Sequence, residues 1–250
     1  MFTLHRGMAF PLLLLLLVTT ACAADFRAPK SKNVIYYIVD GMGVSQVAGG
    51  RMWAKGADGR LTMDSMPITG FARTSSTNGL VTDSAASGTA LATGVRTTNG
   101  TISMSDANHD PSGKSRPLES LSDIALKDGK AVGIITTSKS TDATPSVFYA
   151  NVPTRSMEPE IAAQAAKSGL TLLMGGGRVN FYPESWKDPE TGEAGRGKDN
   201  RNVAAEMSRD GWTVVQSEDE FKALDPKTPG LRVLGLFNDY TMQFDLDRSK

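Results

Sequence analysis

The chain has 250 residues with 27 Lys+Arg against 27 Asp+Glu, 40% hydrophobic and 22% charged, a composition that excludes a disordered chain and fits one globular domain or two small ones. A formal net charge of zero, with no Lys/Arg block, excludes the electrostatic footprint that nucleic acid or an anionic membrane surface selects, so no nucleic-acid partner is expected. One Cys excludes an internal disulfide, and 25 Gly and 12 Pro without a period exclude collagen-like and low-complexity classes.

Residues 1–24 (MFTLHRGMAFPLLLLLLVTTACAA) start with a short basic stretch at Arg6, continue as an apolar run from Met8 to Val18 and end in small residues. This is the pattern of a secretory signal peptide over residues 1–23, with an apolar run too short for the roughly 20 residues of a spanning helix. Six consecutive leucines also lack the polar face of an N-terminal core helix. Ala21-Cys22-Ala23 fits an A-x-A cleavage site and a mature chain starting at Ala24. In the competing reading Cys22 becomes a lipidated N-terminal residue and hence a lipid anchor, although Thr19 stands where Leu is expected. Both readings export the protein, as a periplasmic or secreted chain or as a membrane-anchored lipoprotein.

After a polar lead-in, residues 33–40 (NVIYYIVD) form a nearly continuous β-branched apolar run, expected as a strand buried on both faces. Residues 68–74 alternate and suggest another strand. Helical patterns over 117–127, 159–167 and 202–209 are interleaved with apolar runs at 131–137, 170–174, 212–215 and 231–237. Such alternation predicts an α/β fold, a mostly parallel central sheet with helices on both faces. Two turn-rich stretches, 97–115 and 178–201, read as surface excursions, and no period of 20 to 50 residues points to a solenoid.

Three segments carry candidate chemistry. Asp40-Gly41-Met42-Gly43 closes the first apolar run, and in open α/β sheets ligands bind beyond the carboxyl ends of strands. A carboxylate there supplies hard oxygen to a divalent cation, or simply caps a tight turn. Residues 81–90 (VTDSAASGTA) put Ser84 at or near a helix N-terminus, where the dipole favours phosphate; Thr82, Asp83 or Ser84 can equally act as a plain cap. A serine hydroxyl needs a base or a metal to become a nucleophile. Past the signal segment His109 is the one histidine, and no G-x-S-x-G elbow exists, so metal activation is the more economical route. Ser140-Thr141-Asp142-Ala143-Thr144-Pro145, with Arg155 beyond it, offers two hard oxygens at a strand exit and a planar fork for phosphate.

In this order the three segments resemble the alkaline phosphatase family: V-D-G-M-G, then V-T-D-S-A-A-S-G-T-A, then D-A-T-P with an Arg eleven residues after the Thr. Gly175-Gly176-Gly177-Arg178 is similar to a further family segment, and the resemblance runs from about residue 33 to about residue 237. It implies the family's three-layer α/β sandwich over residues 24–250. It also implies that Asp40 is shared by magnesium and a second zinc, and that Ser84 is the nucleophile that becomes phosphoserine and touches that zinc. Asp142 and Thr144 would lie on the magnesium side, Arg155 would clamp phosphate, and Asp83 would help to position Arg155. The implied cofactors are Mg2+ and two Zn2+, the substrates small phosphomonoesters, and the complete enzyme a homodimer. The family's remaining zinc ligands lie beyond residue 250, and His109 cannot replace them. The expectation is therefore the N-terminal part of a longer enzyme, or a truncated gene product inactive by itself. The alternatives are a phosphodiesterase or sulfatase-type relative, against which V-T-D-S-A-A-S argues, and an inactive phosphate-binding module.

Overall fold

A computed structural model describes residues 32–248. The signal-peptide reading and Cys22 therefore lie outside the described residues. The chain divides into two compact units, Met1–Ile38 and Val39–Lys250. In the first, residues 33–38 carry no strand pairing, and Ile35 is 93% exposed. The expected strand over 33–40 is thus not formed. An apolar run has no ladder of its own, because strand amides are satisfied only by a neighbouring strand.

The second unit opens with α1 (Val44–Lys55), a helix that buries no residue, followed by a 3-10 turn (Thr62–Ser65). Arg51 grips Asp64 with two hydrogen bonds, Nε to Oδ2 at 3.0 Å and Nη2 to Oδ1 at 2.6 Å. Residues 68–74 form no strand either, and Phe71 is 95% exposed. From α2 (Ser84–Thr93) onward the chain packs densely. Its sequence SAASGTALAT presents small residues to the core, and a Cβ on Gly88 would stand only 3.2 Å from Val147 Cγ2. After α2 come α3 (Leu121–Lys127), β1 (Gly133–Lys139), α4 (Ala143–Ser146), α5 (Glu158–Ala165) and β2 (Leu172–Gly176). A 3-10 turn (Arg178–Phe181), α6 (Val203–Arg209), β3 (Trp212–Val215), α7 (Glu218–Lys222), β4 (Arg232–Leu236) and α8 (Asp245–Arg248) follow. Caps set several starts: Ser120 and Asp123 form a capping box at α3, and Asn202 Oδ1 accepts from the Ala205 amide at α6. Pro117 sits in an isolated bridge with Met104, so the helix predicted over 117–127 starts later.

The four strands are all parallel, in the order β1-β2-β4-β3. Ile134, Leu173, Leu234 and Val214 stand in one cross-strand row and therefore on one face. That face meets Ile161 and Ala165 of α5 and Val203 and Met207 of α6 in the main core. Leu172 and Val233, on the other face, line a cleft with Phe221 of α7. The central strands β2 and β4 are thus largely buried, while the edge strands β1 and β3 are more exposed, with Ile135 of β1 at 71%; the all-parallel pairing is what the alternating pattern predicts. Both turn-rich stretches prove partly buried rather than surface excursions: Ile102, Ser103 and Asp106 in the first, and Val179, Phe181 and Asp188 in the second. Side chains satisfy their backbone locally, with Asp188 Oδ1 accepting from the Glu190 and Thr191 amides and Asp106 Oδ1 from the Asn108 amide. Among the described residues no helix is long and apolar enough to cross a membrane.

Because the strands run parallel, their carboxyl ends share one edge of the sheet. The end of β1 leads within three residues to Asp142. Glu158, the first residue of α5, is paired with Lys139 and accepts from Thr141 Oγ1 at 2.9 Å, which pins the chain where it leaves β1.

Candidate active site

Asp83 is the N-cap of α2, its Oδ1 accepting from the Ala86 amide at 2.9 Å. Its Oδ2 accepts from the Gly100 amide, also at 2.9 Å. The carboxylate is therefore spent on fixing the helix start, and Ser84 becomes the first residue of the helix, at its positive dipole end. The hydroxyls of Thr82 and Ser87 both donate to the Asp83 carbonyl, at 3.0 and 2.8 Å.

Arg155 reaches this point from the loop after α4. Its Nη1 donates to Ser84 Oγ at 2.8 Å and lies 3.5 Å from Asp83 Oδ2, while Nη2 donates to Asp142 Oδ1 at 2.7 Å. Asp142 caps α4 by accepting from the Ala143 amide at 2.8 Å, and its Oδ2 takes the Ser138 hydroxyl at 2.6 Å. Burial pushes the Asp142 carboxyl up, but Ser138, the Ala143 amide and Arg155 outweigh it and hold the group below the usual carboxylate range. It is a fixed negative charge facing the guanidinium.

Two residues past Asp142, Thr144 Oγ1 donates to Asp40 Oδ2 at 2.8 Å, and Gly41 takes the turn after Asp40 at φ +67°. The six residues expected from the sequence thus form two hydrogen-bonded groups, Asp40 with Thr144, and Arg155 with Asp142, Ser84 and Asp83, joined by the chain from Asp142 to Thr144. A carboxylate and a hydroxyl in contact make a hard-oxygen pair that suits magnesium. Asp142 lies two residues before Thr144, with both its oxygens accepting from protein donors. For a zinc pair the donors do not fit. The His109 ring is held by Asp106, Nδ1 to Oδ2 at 2.8 Å, and among the described residues no three of His, Cys, Asp and Glu come together.

Sequence reasoning missed Ser138 and the Asn99-Gly100 corner. The only sign of the corner is an Asn-Gly dipeptide, which reads as an ordinary turn. The Gly175-Gly176-Gly177-Arg178 segment sits apart in its contacts. Arg178 is buried against Asp188 and Asp239, and a Cβ on Gly176 would fall 1.8 Å from the Tyr240 carbonyl oxygen, so the glycines serve close packing.

The family model for alkaline phosphatase matches residues 31–250. The repressible alkaline phosphatase of Saccharomyces cerevisiae is 36% identical over 95% of this chain and 44% of its own length. The structure of a cold-active alkaline phosphatase from the psychrophile Shewanella sp. superposes with a TM-score of 0.67 at 28% identity, covering 84% of this chain and 47% of that one. A variant of the alkaline phosphatase from the Antarctic bacterium TAB5, solved with magnesium bound, gives 0.65 at 28% identity over 82% and 52%. The chain spans about half the length of the relatives it matches. With the motif residues gathered at one site and the match running through most of its length, the chain belongs to the alkaline phosphatase family.

Proposed function

We propose that the site around Ser84 is that of an exported, metal-dependent phosphomonoesterase working through a phosphoserine. The observation that carries this reading is the 2.8 Å contact from Arg155 Nη1 to Ser84 Oγ at the first turn of α2. A phosphoryl group at Oγ meets a guanidinium fork on one side and the positive end of a helix on the other. In the first step a bond forms between Ser84 Oγ and phosphorus, the bond from phosphorus to the substrate's alcohol oxygen breaks, and the hydroxyl proton given up by Ser84 is balanced by protonation of the departing alcohol oxygen. In the second, water attacks phosphorus and the Oγ–P bond breaks, returning the serine and releasing inorganic phosphate. Arg155 offsets charge on the non-bridging oxygens in both steps, for which Nη2 exchanges Asp142 for phosphate. Asp83 holds the start of α2 so that Oγ stays in front of Nη1. Asp40 and Thr144, with Asp142 beside them, are the residues that would hold magnesium. A bound divalent cation lowers the proton affinity of an attacking oxygen and stabilises a leaving one.

These contacts all grip the phosphate and none selects the alcohol, which supports a broad range of small phosphomonoesters. Export by cleavage before Ala24 or lipidation at Cys22, and a homodimer, complete the proposal. A second reading, a phosphate-binding module without turnover, is favoured by the lack of a three-ligand metal cluster among the described residues. Hydrolysis of an aryl phosphate by the metal-loaded protein decides between the two.

Arg155 gives a graded test. A charge-assisted hydrogen bond contributes about 1.5–3 kcal/mol, and a side chain 36% exposed belongs at the low end because water screens it. Arg155→Ala is therefore expected to weaken inhibition by inorganic phosphate about tenfold and to slow turnover with it. Inhibition and turnover both unchanged would reduce Arg155 to a surface ion-pair partner.

A further inference from the structure

We propose that Asn99 is a positioning residue for the Ser84 nucleophile, and that the corner it forms with Gly100 sets the spacing between Ser84 and Arg155. The proposal rests on the reading of those two residues given above. The Asn99 side chain spans the segment that leads into α2. Its Oδ1 accepts from the Asp83 amide at 3.0 Å, and its Nδ2 donates to the Val81 carbonyl at 3.0 Å. One side-chain amide thereby does for residues 81–83 what a neighbouring strand would do, holding a donor and an acceptor at once. Asp83 immediately precedes Ser84, so the direction of its backbone sets where Oγ points.

Gly100 continues the contact. Its amide donates to Asp83 Oδ2 at 2.9 Å, and its carbonyl accepts from the Arg155 amide at 2.7 Å. Two adjacent residues thus touch the backbone and carboxylate before the nucleophile and the backbone of the arginine. Gly100 sits at φ +86°, a conformation that glycine adopts freely. Asn78 supports the corner from behind, its Oδ1 accepting from the Asn99 amide at 2.9 Å and from Ser76 Oγ at 2.9 Å. An Asn that merely closed a turn would bond its own backbone about two residues on. Asn99 reaches back 16 and 18 residues instead, to the start of α2.

Loss of the Asn99 side chain frees the Ser84 side of the site and leaves the Gly100–Arg155 contact and the guanidinium in place. The defect therefore falls on the chemical step and spares phosphate affinity. In acid-quenched single turnovers of an aryl phosphate, Asn99→Ala is expected to slow phosphorylation of Ser84 about tenfold or more, with inhibition by inorganic phosphate changed less than about threefold. Asn99→Asp keeps the acceptor for the Asp83 amide and loses the donor, and should fall between. Hydrogen exchange should quicken over residues 81–87 in Asn99→Ala while β2 stays protected. Phosphorylation within twofold of the parent, or a loss matched by equally weakened phosphate inhibition, would overturn the proposal. Should Asn99→Ala unfold, with loss of protection in β2, the same two criteria apply to Asn99→Asp. If Ser84→Ala and Arg155→Ala both leave hydrolysis and phosphate inhibition as they were, the reading of the site fails and takes the proposal with it. If Ser84→Ala loses hydrolysis and Arg155→Ala weakens phosphate inhibition while the Asn99 variants keep the parent's phosphorylation rate, the Asn99 assignment alone fails.

Discussion

Ser84→Ala should lower turnover of an aryl phosphate by about 10³-fold to 10⁶-fold, because it removes the covalent route and leaves water as the one attacking group. Affinity for inorganic phosphate should survive, since the guanidinium that grips it keeps Asp142 at 2.7 Å and Asp83 at 3.5 Å. A fall in kcat with little change in phosphate inhibition separates a nucleophile from a binding residue. Phosphopeptide mapping after an acid quench should find the label on Ser84. Thr82 and Ser87 are poor competitors because each spends its hydroxyl on the Asp83 carbonyl. Label on either of them would reverse the assignment.

The largest loss of stability is expected at Arg178. Its Nε lies 2.9 Å from both Asp188 Oδ2 and Asp239 Oδ1, in a site where the three side chains are 7%, 0% and 4% exposed. The Thr191 hydroxyl also donates to Asp239. Burial raises the Asp188 carboxyl, but the Thr191 and Glu190 amides and Arg178 bring it below its ordinary value. Arg178→Ala would leave two buried carboxylates without a cation, and breaking a buried pair from one side costs about 3–5 kcal/mol. The pH dependence has a definite sign. In the parent protein the depressed carboxyl contributes stability that is fully present above its unfolded pKa, about 3.9, and is lost as pH falls through the lower folded value. In the variant the folded Asp188 pKa rises, so the deficit is greatest at neutral pH and shrinks on acidification. Urea midpoints of parent and variant at neutral and mildly acidic pH measure this, and a deficit that grew on acidification would contradict the assignment.

The sheet was the most legible part of the chain. Residues 212–215 and 231–237 lie where the strands form, give or take a residue, because strands that feed a core are rich in apolar and β-branched residues. Asn202 marked the start of its helix for an equally local reason, a side-chain acceptor placed before an unsatisfied amide. The run at 33–40 misled because apolar content says that a segment favours burial and says nothing of which strand it pairs with. Helix α1 was hidden by Gly49-Gly50 in its interior and by the lack of a buried face. In the site, residue identities were readable from the motifs, whereas the way Arg155 bridges Ser84 and Asp142 depends on a span of 71 residues that the fold closes. Asn99 was out of reach for the same reason.

The near-contact of Gly88 with Val147 bears on the width of the phosphate seat. Helix α2 starts at Ser84 and α4 starts beside Asp142, and the Arg155 fork spans the two like a calliper, 2.8 Å from one and 2.7 Å from the other. The bare Gly88 lets the two segments pack closely, since a Cβ there would sit 3.2 Å from Val147 Cγ2 and the valine would have to give by a few tenths of an ångström. A larger side chain at that dry position would act as a shim against Val147, just past the end of α4, and would push on the gap at Arg155 without touching a single polar group. The tolerance of the site is thus machined in the hydrocarbon core, several residues away from any atom that meets phosphate.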